Sequence, residues 1–344
     1  MSNDTARRIV DWILSEDLLK DADRIIFDFI GGEPLLEIDL INDTVSYACT
    51  QMHKKRSPWS DNFRIRITSN GISYNSSKVQ EFIHKYKKHV DISISIDGTK
   101  EKHDENRIFS DGKGSYTKVL PNIKLWTKQF SEPSTKMTIS HRDLPYVKDS
   151  LIHLMDLGIK VIDVNPVLED VWEDGDDIVL ENQLMKVADY MIEKSLNGRY
   201  RLSCFDEDMG EKPVKDRCIA PCGDVAFAID SQGDIFPCIR YKHYSLREKK
   251  QRSVGTLNGG IDKNLLRPFL LFDDTTSFPN KCLSCDVGNL CKWCPAESYD
   301  SSLTDTVFQR STAHCNMYKA MVRANNYYQR KLNFINENYG KCKI

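Results

Sequence analysis

Eight of the eleven cysteines lie in one stretch, in the order Cys218, Cys222, Cys238, Cys282, Cys285, Cys291, Cys294 and Cys315. The later part reads C-x2-C-x5-C-x2-C with one more cysteine beyond a gap, and the earlier part reads C-x3-C-x15-C. Eight thiols make two four-ligand sets. Tetrahedral thiolate sites suit zinc or iron–sulfur clusters, and ligand softness does not choose between them. A disulfide framework belongs to small secreted chains with weak cores, whereas this one has 344 residues and shows no signal-peptide pattern. The array is therefore expected to hold metal.

A chain of 344 residues exceeds the roughly 250–300 at which a single core stops growing, so two domains are expected. The 48 basic and 50 acidic residues leave a formal charge of -2, which gives no electrostatic footprint for nucleic acid or an anionic membrane. No apolar run approaches the ~18 residues of a membrane span. A cytoplasmic protein is expected, engaging neither nucleic acid nor membrane.

Upstream of the array, strand-length apolar runs alternate with amphipathic stretches. Residues 1 to 20 have helical spacing of Ala6, Ile9, Val10, Ile13 and Leu14. The expected strands are RIIFDFI (Arg24 to Ile30), FRIRITS (Phe63 to Ser69), HVDISIS (His89 to Ser95), KMTIS (Lys136 to Ser140) and KVIDV (Lys160 to Val164). Helices are expected at about 36–55, 76–88 and 144–157. This alternation argues an α/β fold with parallel βα units, a barrel or an open sheet. Chemistry in such folds sits at the carboxyl ends of the strands. Gly31-Gly32-Glu33-Pro34, Ser69-Asn70-Gly71, Ser95-Ile96-Asp97-Gly98 and Asn165-Pro166 fall at those ends, although each alone also reads as an ordinary turn. In HVDISISID, Asp91, Ser93, Ser95 and Asp97 share one parity, a polar row suited to lining a site, and Val90, Ile92, Ile94 and Ile96 share the other.

His103-Asp104-Glu105-Asn106-Arg107 reads either as a solvated charged loop or as a carrier of Arg107, whose planar fork suits a carboxylate. Gly112-Lys113-Gly114-Ser115 lacks the phosphate-loop frame. The acidic run Glu169 to Asp177 reads as a solvated loop or as an attractor for a basic peptide. Cys49, Cys204 and Cys342 stand outside the array and read as structural. Residues 315 to 336 read as a closing helix, with Met321, Ala324, Tyr328 and Leu332 on its apolar face.

Strands ending in GGEP, TSNG and SIDG, the HDENR segment, and GDIFPC followed by CxxC and CKWC, taken in this order, resemble radical SAM enzymes with a SPASM domain. The resemblance runs from about residue 5 to residue 320. It implies an α/β fold: a partial (β/α)6 barrel without its first strand over residues 1–200, then a Cys-rich SPASM domain over residues 201–344. Gly31, Gly32, Glu33 and Pro34 would bind the amino group of S-adenosylmethionine, and Arg107 its carboxylate. Ser95 would contact the cofactor, Asn70 would lie near it and Leu168 would pack on the adenine side. Two auxiliary 4Fe–4S clusters would be held, one by Cys218, Cys222, Cys238 and Cys294, the other by Cys282, Cys285, Cys291 and Cys315.

The family's CxxxCxxC loop, which holds the cofactor-cleaving cluster, is not in this sequence. Cys49 is the only cysteine ahead of Cys204, and Val225 stands where Cys218 and Cys222 would need a third. The expectation is a chain written without its first strand and cluster loop, incapable of adenosyl-radical chemistry unless that segment, and with it a third cluster, is supplied. Sulfatase-maturing members carry Asp directly after the Cys of the PC motif, whereas Ile239 and Arg240 follow Cys238 here. The resemblance then implies a maturase of a ribosomally made precursor peptide, forming a thioether crosslink and served by an electron donor such as flavodoxin or ferredoxin. The alternatives are a non-catalytic iron–sulfur or zinc protein that binds a peptide or partner, and an anaerobic sulfatase-maturing enzyme.

Overall fold

The computed structural model describes residues 1–19, 21–206, 209, 223, 226–243, 247–271, 279–288, 291 and 294–339. The first elements are α1 (Asn3–Ile13), β1 (Ile25–Phe29), α2 (Ile38–Lys54), β2 (Phe63–Ser69), α3 (Ser77–Lys85) and β3 (Val90–Ile94). They are followed by α4 (Lys100–Asn106), α5 (Tyr116–Gln129), β4 (Ser134–Ile139), α6 (Val147–Asp156), β5 (Val161–Pro166), α7 (Asp176–Glu193) and β6 (Arg201–Leu202). Short elements come next: β7 (Ala228–Ile229), β8 (Asp234–Phe236), α8 (Arg240–His243), β9 (Gly255–Thr256), β10 (Gly260–Ile261), α9 (Lys263–Leu270), α10 (Asn280–Leu283) and α11 (Pro295–Ser301). The long α12 (Cys315–Tyr339) closes the series.

The strands form sheets in the orders β1-β2-β3, β4-β5-β6 and β10-β9-β8-β7. The second is parallel, with Ser134 opposite Val161 and Ile139 opposite Pro166. In the first, Ile65 N–H donates to His89 O and Ser95 N–H to Ser69 O, so β2 and β3 also run the same way. The third is antiparallel, with tight turns joining β7 to β8 and β9 to β10. The α/β class expected from the alternation of runs is present.

Each expected strand is found within two residues of its predicted start, because period-2 burial decides it. Phe63, Ile65, Ile67 and Ser69 of β2 are buried while Arg64 and Arg66 are exposed, and β3 buries Val90, Ile92 and Ile94. The first helix is shorter than the 1–20 expected. Ser15 Oγ donates to Asp11 O and Trp12 O, taking carbonyls that a continuing helix would need. The 100–106 stretch is helical rather than a solvated loop: Thr99 Oγ1 accepts from Lys102 N, capping α4, and Lys102 and His103 are buried. Helix α7 went unpredicted, although Asp176 and Asp177 in its first turn complement the helix dipole.

The chain packs as two compact units, each assembled from separate stretches. One comprises Met1–Arg66, Glu81–Asp91 and Val214–Ser311, the other Ile67–Gln80, Ile92–Pro213 and Thr312–Ile344. In the first, α1 and α2 meet through Tyr47 OH, which donates to Asp11, with the Arg7 guanidinium 5.4 Å from the Tyr47 ring. In the second, Val119, Ile123 and Trp126 of α5 are fully buried, and Trp126 Nε1 donates to Ile92 O at 2.9 Å. Also there, α12 lies on α7: Arg323 bonds Asp177 and Glu181, Tyr327 and Lys331 bond Asp189, and Phe205 stacks on Tyr328 at 4.6 Å. Residues 315–336 thus form the closing helix that their spacing predicts. Among the described residues no helix is long and apolar enough to cross a membrane.

Gly98, in the turn after β3, has φ 132°, and a Cβ there would stand 2.1 Å from Ser150 Cβ of α6. Backbone strain and overpacking act together, so Gly98→Ala is expected to cost roughly 3 kcal/mol of stability. Urea denaturation measures it; an unmoved midpoint would mean that α6 yields freely.

Candidate functional site

The second unit gathers four strand ends. Ser95 N–H meets Ser69 O across β2 and β3, Thr135 Oγ1 donates to Ile94 O at 2.8 Å across β3 and β4, and Val167 N–H donates to Ile139 O at 2.9 Å across β4 and β5. Asn70, Ser95, Asp97 and Leu168 therefore lie at or just past neighbouring carboxyl ends. Asn70 is exposed, and its Oδ1 accepts from Ile72 N at 2.9 Å, holding the turn; Ser95 and Leu168 are half-buried.

Arg107, at the end of α4, comes back over this edge. Its Nε–H donates to Asp97 Oδ2, and Nη2 lies 3.5 Å from Asp97 Oδ1. Asp97 is 4% exposed and also accepts from Thr138 N at 3.3 Å. These bonds use one edge of the guanidinium. Among the described residues no acceptor takes its Nη1 group, and with 31% of the side chain exposed, a planar fork is left for a carboxylate.

His103 sits behind the pair. Its Nδ1 accepts from Asp97 N at 3.4 Å, and its Nε2 lies 3.0 Å from Ser115 Oγ, which itself donates to Arg107 O at 2.9 Å. The pattern selects a neutral ring carrying its proton on Nε2. Burial drives the pKa of His103 down to about 4, with Asp97 pulling the other way and Arg107 reinforcing the shift. The folded value lies below the unfolded one, so the unfolded chain binds more protons between the two. Stability that is complete above about pH 6.5 is lost as pH falls toward about 4, by about 3 kcal/mol in all. Urea midpoints taken at intervals from pH 7.5 to 4.5 should show this slope, and His103→Gln should flatten it. An equal slope in both chains would assign it to other groups.

Beside His103, Lys102 is 1% exposed, and its Nζ donates to Thr138 O at 2.7 Å and pairs with Asp143 Oδ1 at 3.3 Å. Asp143 Oδ2 accepts from Ser140 N at 2.7 Å and Ser140 Oγ at 2.8 Å. Sequence reading missed Asp97, Lys102 and His103 as members of this network. The available signal was spacing, since His103 and Arg107 are one helical turn apart and follow a carboxylate at a strand end.

In the first unit, Gly31 and Gly32 adopt φ of 113° and 27°, and a Cβ on either would meet nothing within 4 Å. The backbone is bare there, open to close approach by a ligand. Glu33 Oε1 accepts from Leu35 N at 3.0 Å, capping the turn that begins at the buried Pro34.

The same unit positions most of the array. Asp230 Oδ1 accepts from Gln232 N and Asp234 N, which tightens the β7–β8 hairpin whose end delivers Cys238. Cys294 precedes α11 as its cap residue. Burial raises the Cys294 thiol pKa above the usual range against the pull of Arg240, which hydrogen-bonds to it, and Cys238 is close enough to add to the rise. Cys282 and Cys285 share one turn, with Cys285 N–H donating to Cys282 O and Gly288 N–H to Cys285 O. Cys291 is buried, and Arg310 Nη2 lies 2.9 Å from its Sγ. Cys315 opens α12 in the other unit, while Cys218 and Cys222 lie outside the described residues.

Among the described residues no three His, Cys, Asp or Glu side chains are grouped to hold a metal ion. An iron–sulfur cluster is larger than a single ion and sets its thiolates farther apart. The donor chemistry fits such a group: coordinated thiolates are anionic, and guanidinium donors stand beside Cys291 and Cys294. Cys49 is half-buried on α2 and Cys204 fully buried, in line with structural roles; Cys342 lies outside the described residues.

No family model matches the sequence. Over 282 residues it is 24% identical to the cysteine-type anaerobic sulfatase-maturating enzyme of Clostridium novyi (strain NT), covering 77% of this chain and 71% of that one. The structure matches native anSMEcpe with bound AdoMet at a TM-score of 0.73 and 19% identity, over 98% of this chain and 90% of that one. It matches Streptococcus suis SuiB bound to S-adenosylmethionine at 0.56 and 14%, over 92% and 70%. The chain has the α/β fold, with parallel-strand sheets, of these proteins.

Proposed function

We propose that the chain is a radical SAM maturase of a ribosomally made peptide, with a partial (β/α)6 barrel over residues 1–200 and a SPASM domain over residues 201–344. The observation that carries the reading is Arg107, fixed by Asp97 at the carboxyl ends of the strands with half of its fork open. Strands lying in chain order within β1-β2-β3 and β4-β5-β6 suit a barrel better than a doubly wound sheet, whose order reverses.

In this reading Arg107 binds the carboxylate of S-adenosylmethionine, the bare backbone of Gly31 and Gly32 with Glu33 and Pro34 takes its amino group, and Ser95, Asn70 and Leu168 flank the rest. Cys218, Cys222, Cys238 and Cys294 hold one auxiliary 4Fe–4S cluster, and Cys282, Cys285, Cys291 and Cys315 the other. When bound together with a third cluster held by a CxxxCxxC segment, S-adenosylmethionine supplies a radical that takes a hydrogen atom from the substrate. The half-buried polar residues Ser95, Thr138 and Asn165 offer hydrogen bonds to a peptide backbone. A peptide substrate suits the relatives: anSMEcpe has been solved with the Kp18Cys peptide, and SuiB with its precursor peptide SuiA. Thioether formation, a flavodoxin or ferredoxin donor and a cytoplasmic setting complete the proposal.

Sulfatase maturation has in its favour the likeness to sulfatase-maturating enzymes of both the cysteine and the serine type, and against it Ile239 directly after Cys238. The test is anaerobic iron, sulfide and zinc analysis of the chain. About eight iron and about eight sulfide per chain are expected from two 4Fe–4S clusters. About two zinc without sulfide would make the array a scaffold and end the enzyme reading.

A further inference from the structure

The contact between Arg310 and Cys291 is unlike an ordinary surface pairing. Arg310 is 6% exposed, Cys291 is equally buried, and nineteen positions separate them. Nη2 lies 2.9 Å from Sγ, while the Cys291 carbonyl oxygen stands farther off at 3.5 Å. A neutral thiol is a weak acceptor and gives a guanidinium little return for its desolvation. A cluster-bound sulfur carries negative charge, and for it a guanidinium N–H is a strong, charge-assisted donor. Hydrogen bonds to ligand sulfurs and local net charge are among the features that set a cluster's reduction potential.

We infer that Arg310 is a positioning residue that holds the cluster ligand Cys291 and raises the reduction potential of the cluster this cysteine serves. The inference rests on the proposed iron–sulfur reading of the array. The step it concerns is a one-electron reduction: the cluster with its four thiolates goes from charge 2− to 3−, the electron coming from a low-potential donor, and no bond to iron is made or broken. Arg310 acts by Coulomb attraction, which is greater for the more negative form, and burial keeps water from screening it. The set that contains Cys294 has its own cation in Arg240, so loss of Arg310 is expected to move one potential and leave the other in place.

The experiment compares the wild-type chain with Arg310→Gln and Arg310→Lys, reconstituted anaerobically with iron and sulfide. Iron and sulfide are counted first, then the reduced signals are followed by EPR during potentiometric titration with dithionite. With equal loading, Arg310→Gln should disfavour reduction of one cluster at least tenfold, a shift of 59 mV for one electron, and Arg310→Lys should lie between the two. Equal loading with unmoved midpoints overturns the inference alone. Zinc without sulfide in the wild-type chain overturns the array reading and the inference with it. Should neither variant load, an Arg240→Gln chain labelled with guanidino-15N arginine, which removes the other guanidinium beside a ligand cysteine, decides: a resolved 15N coupling to a reduced cluster supports the contact, and none overturns it.

Discussion

Lys102→Met is expected to destabilise the chain by about 3–5 kcal/mol. The lysine and Asp143 have side chains only 1% and 4% exposed, so neither charge has water to fall back on. Methionine fills the space of the lysine stem but leaves the Asp143 carboxylate without its cation and Thr138 O without the 2.7 Å donor. Ser140 still donates to Oδ2 through N and Oγ, which accounts for half of the carboxylate and no charge. Pairing the change with Asp143→Asn, which removes the charge and keeps the shape, should recover much of the loss. Urea midpoints of the four chains give the coupling. A double variant no more stable than Lys102→Met would show that the cost lay in packing.

If Arg107 binds the cofactor carboxylate as proposed, Arg107→Ala weakens S-adenosylmethionine binding by roughly tenfold to a hundredfold, the worth of about 1.5–3 kcal/mol for hydrogen bonds to a charged group. Equilibrium dialysis with labelled cofactor reads it directly. Alanine also strands Asp97, 4% exposed, so the fold must be checked by the urea midpoint in parallel. Arg107→Lys separates the two effects: it keeps a cation for Asp97 and removes the planar fork, so stability should be largely kept while binding falls. Binding equal to wild type in the lysine chain would mean that the fork meets no carboxylate.

The strands were legible because alternation is local. HVDISIS declares which residues face inward, and Ile92, Ile94 and Ile96 are buried as its parity requires. The network behind the site was not legible, because it is made by tertiary partners. The Lys100–Asn106 segment reads as charge for water, yet Lys102 is buried on account of Asp143 and His103 on account of Ser115, and neither partner is near in sequence. Asp97 shows the same limit: parity puts it in the polar row, but Arg107 and Thr138 N are what let it be buried. The cysteines announce themselves by spacing, whereas the arginines beside two of them, Arg240 and Arg310, carry no pattern that spacing could reveal. β6 is only two residues long, too short for any period to appear.

Cys204 gives the molecule a built-in clock. It is fully buried near the stack of Phe205 on Tyr328, and burial drives its thiol pKa far above the usual range. The thiolate is the nucleophile, so an alkylating reagent passes this sulfur by for as long as the fold holds. Labelling at Cys204, located by mass in a peptide digest, then records opening of the unit that contains it. Timed pulses of reagent would follow that opening without an added probe.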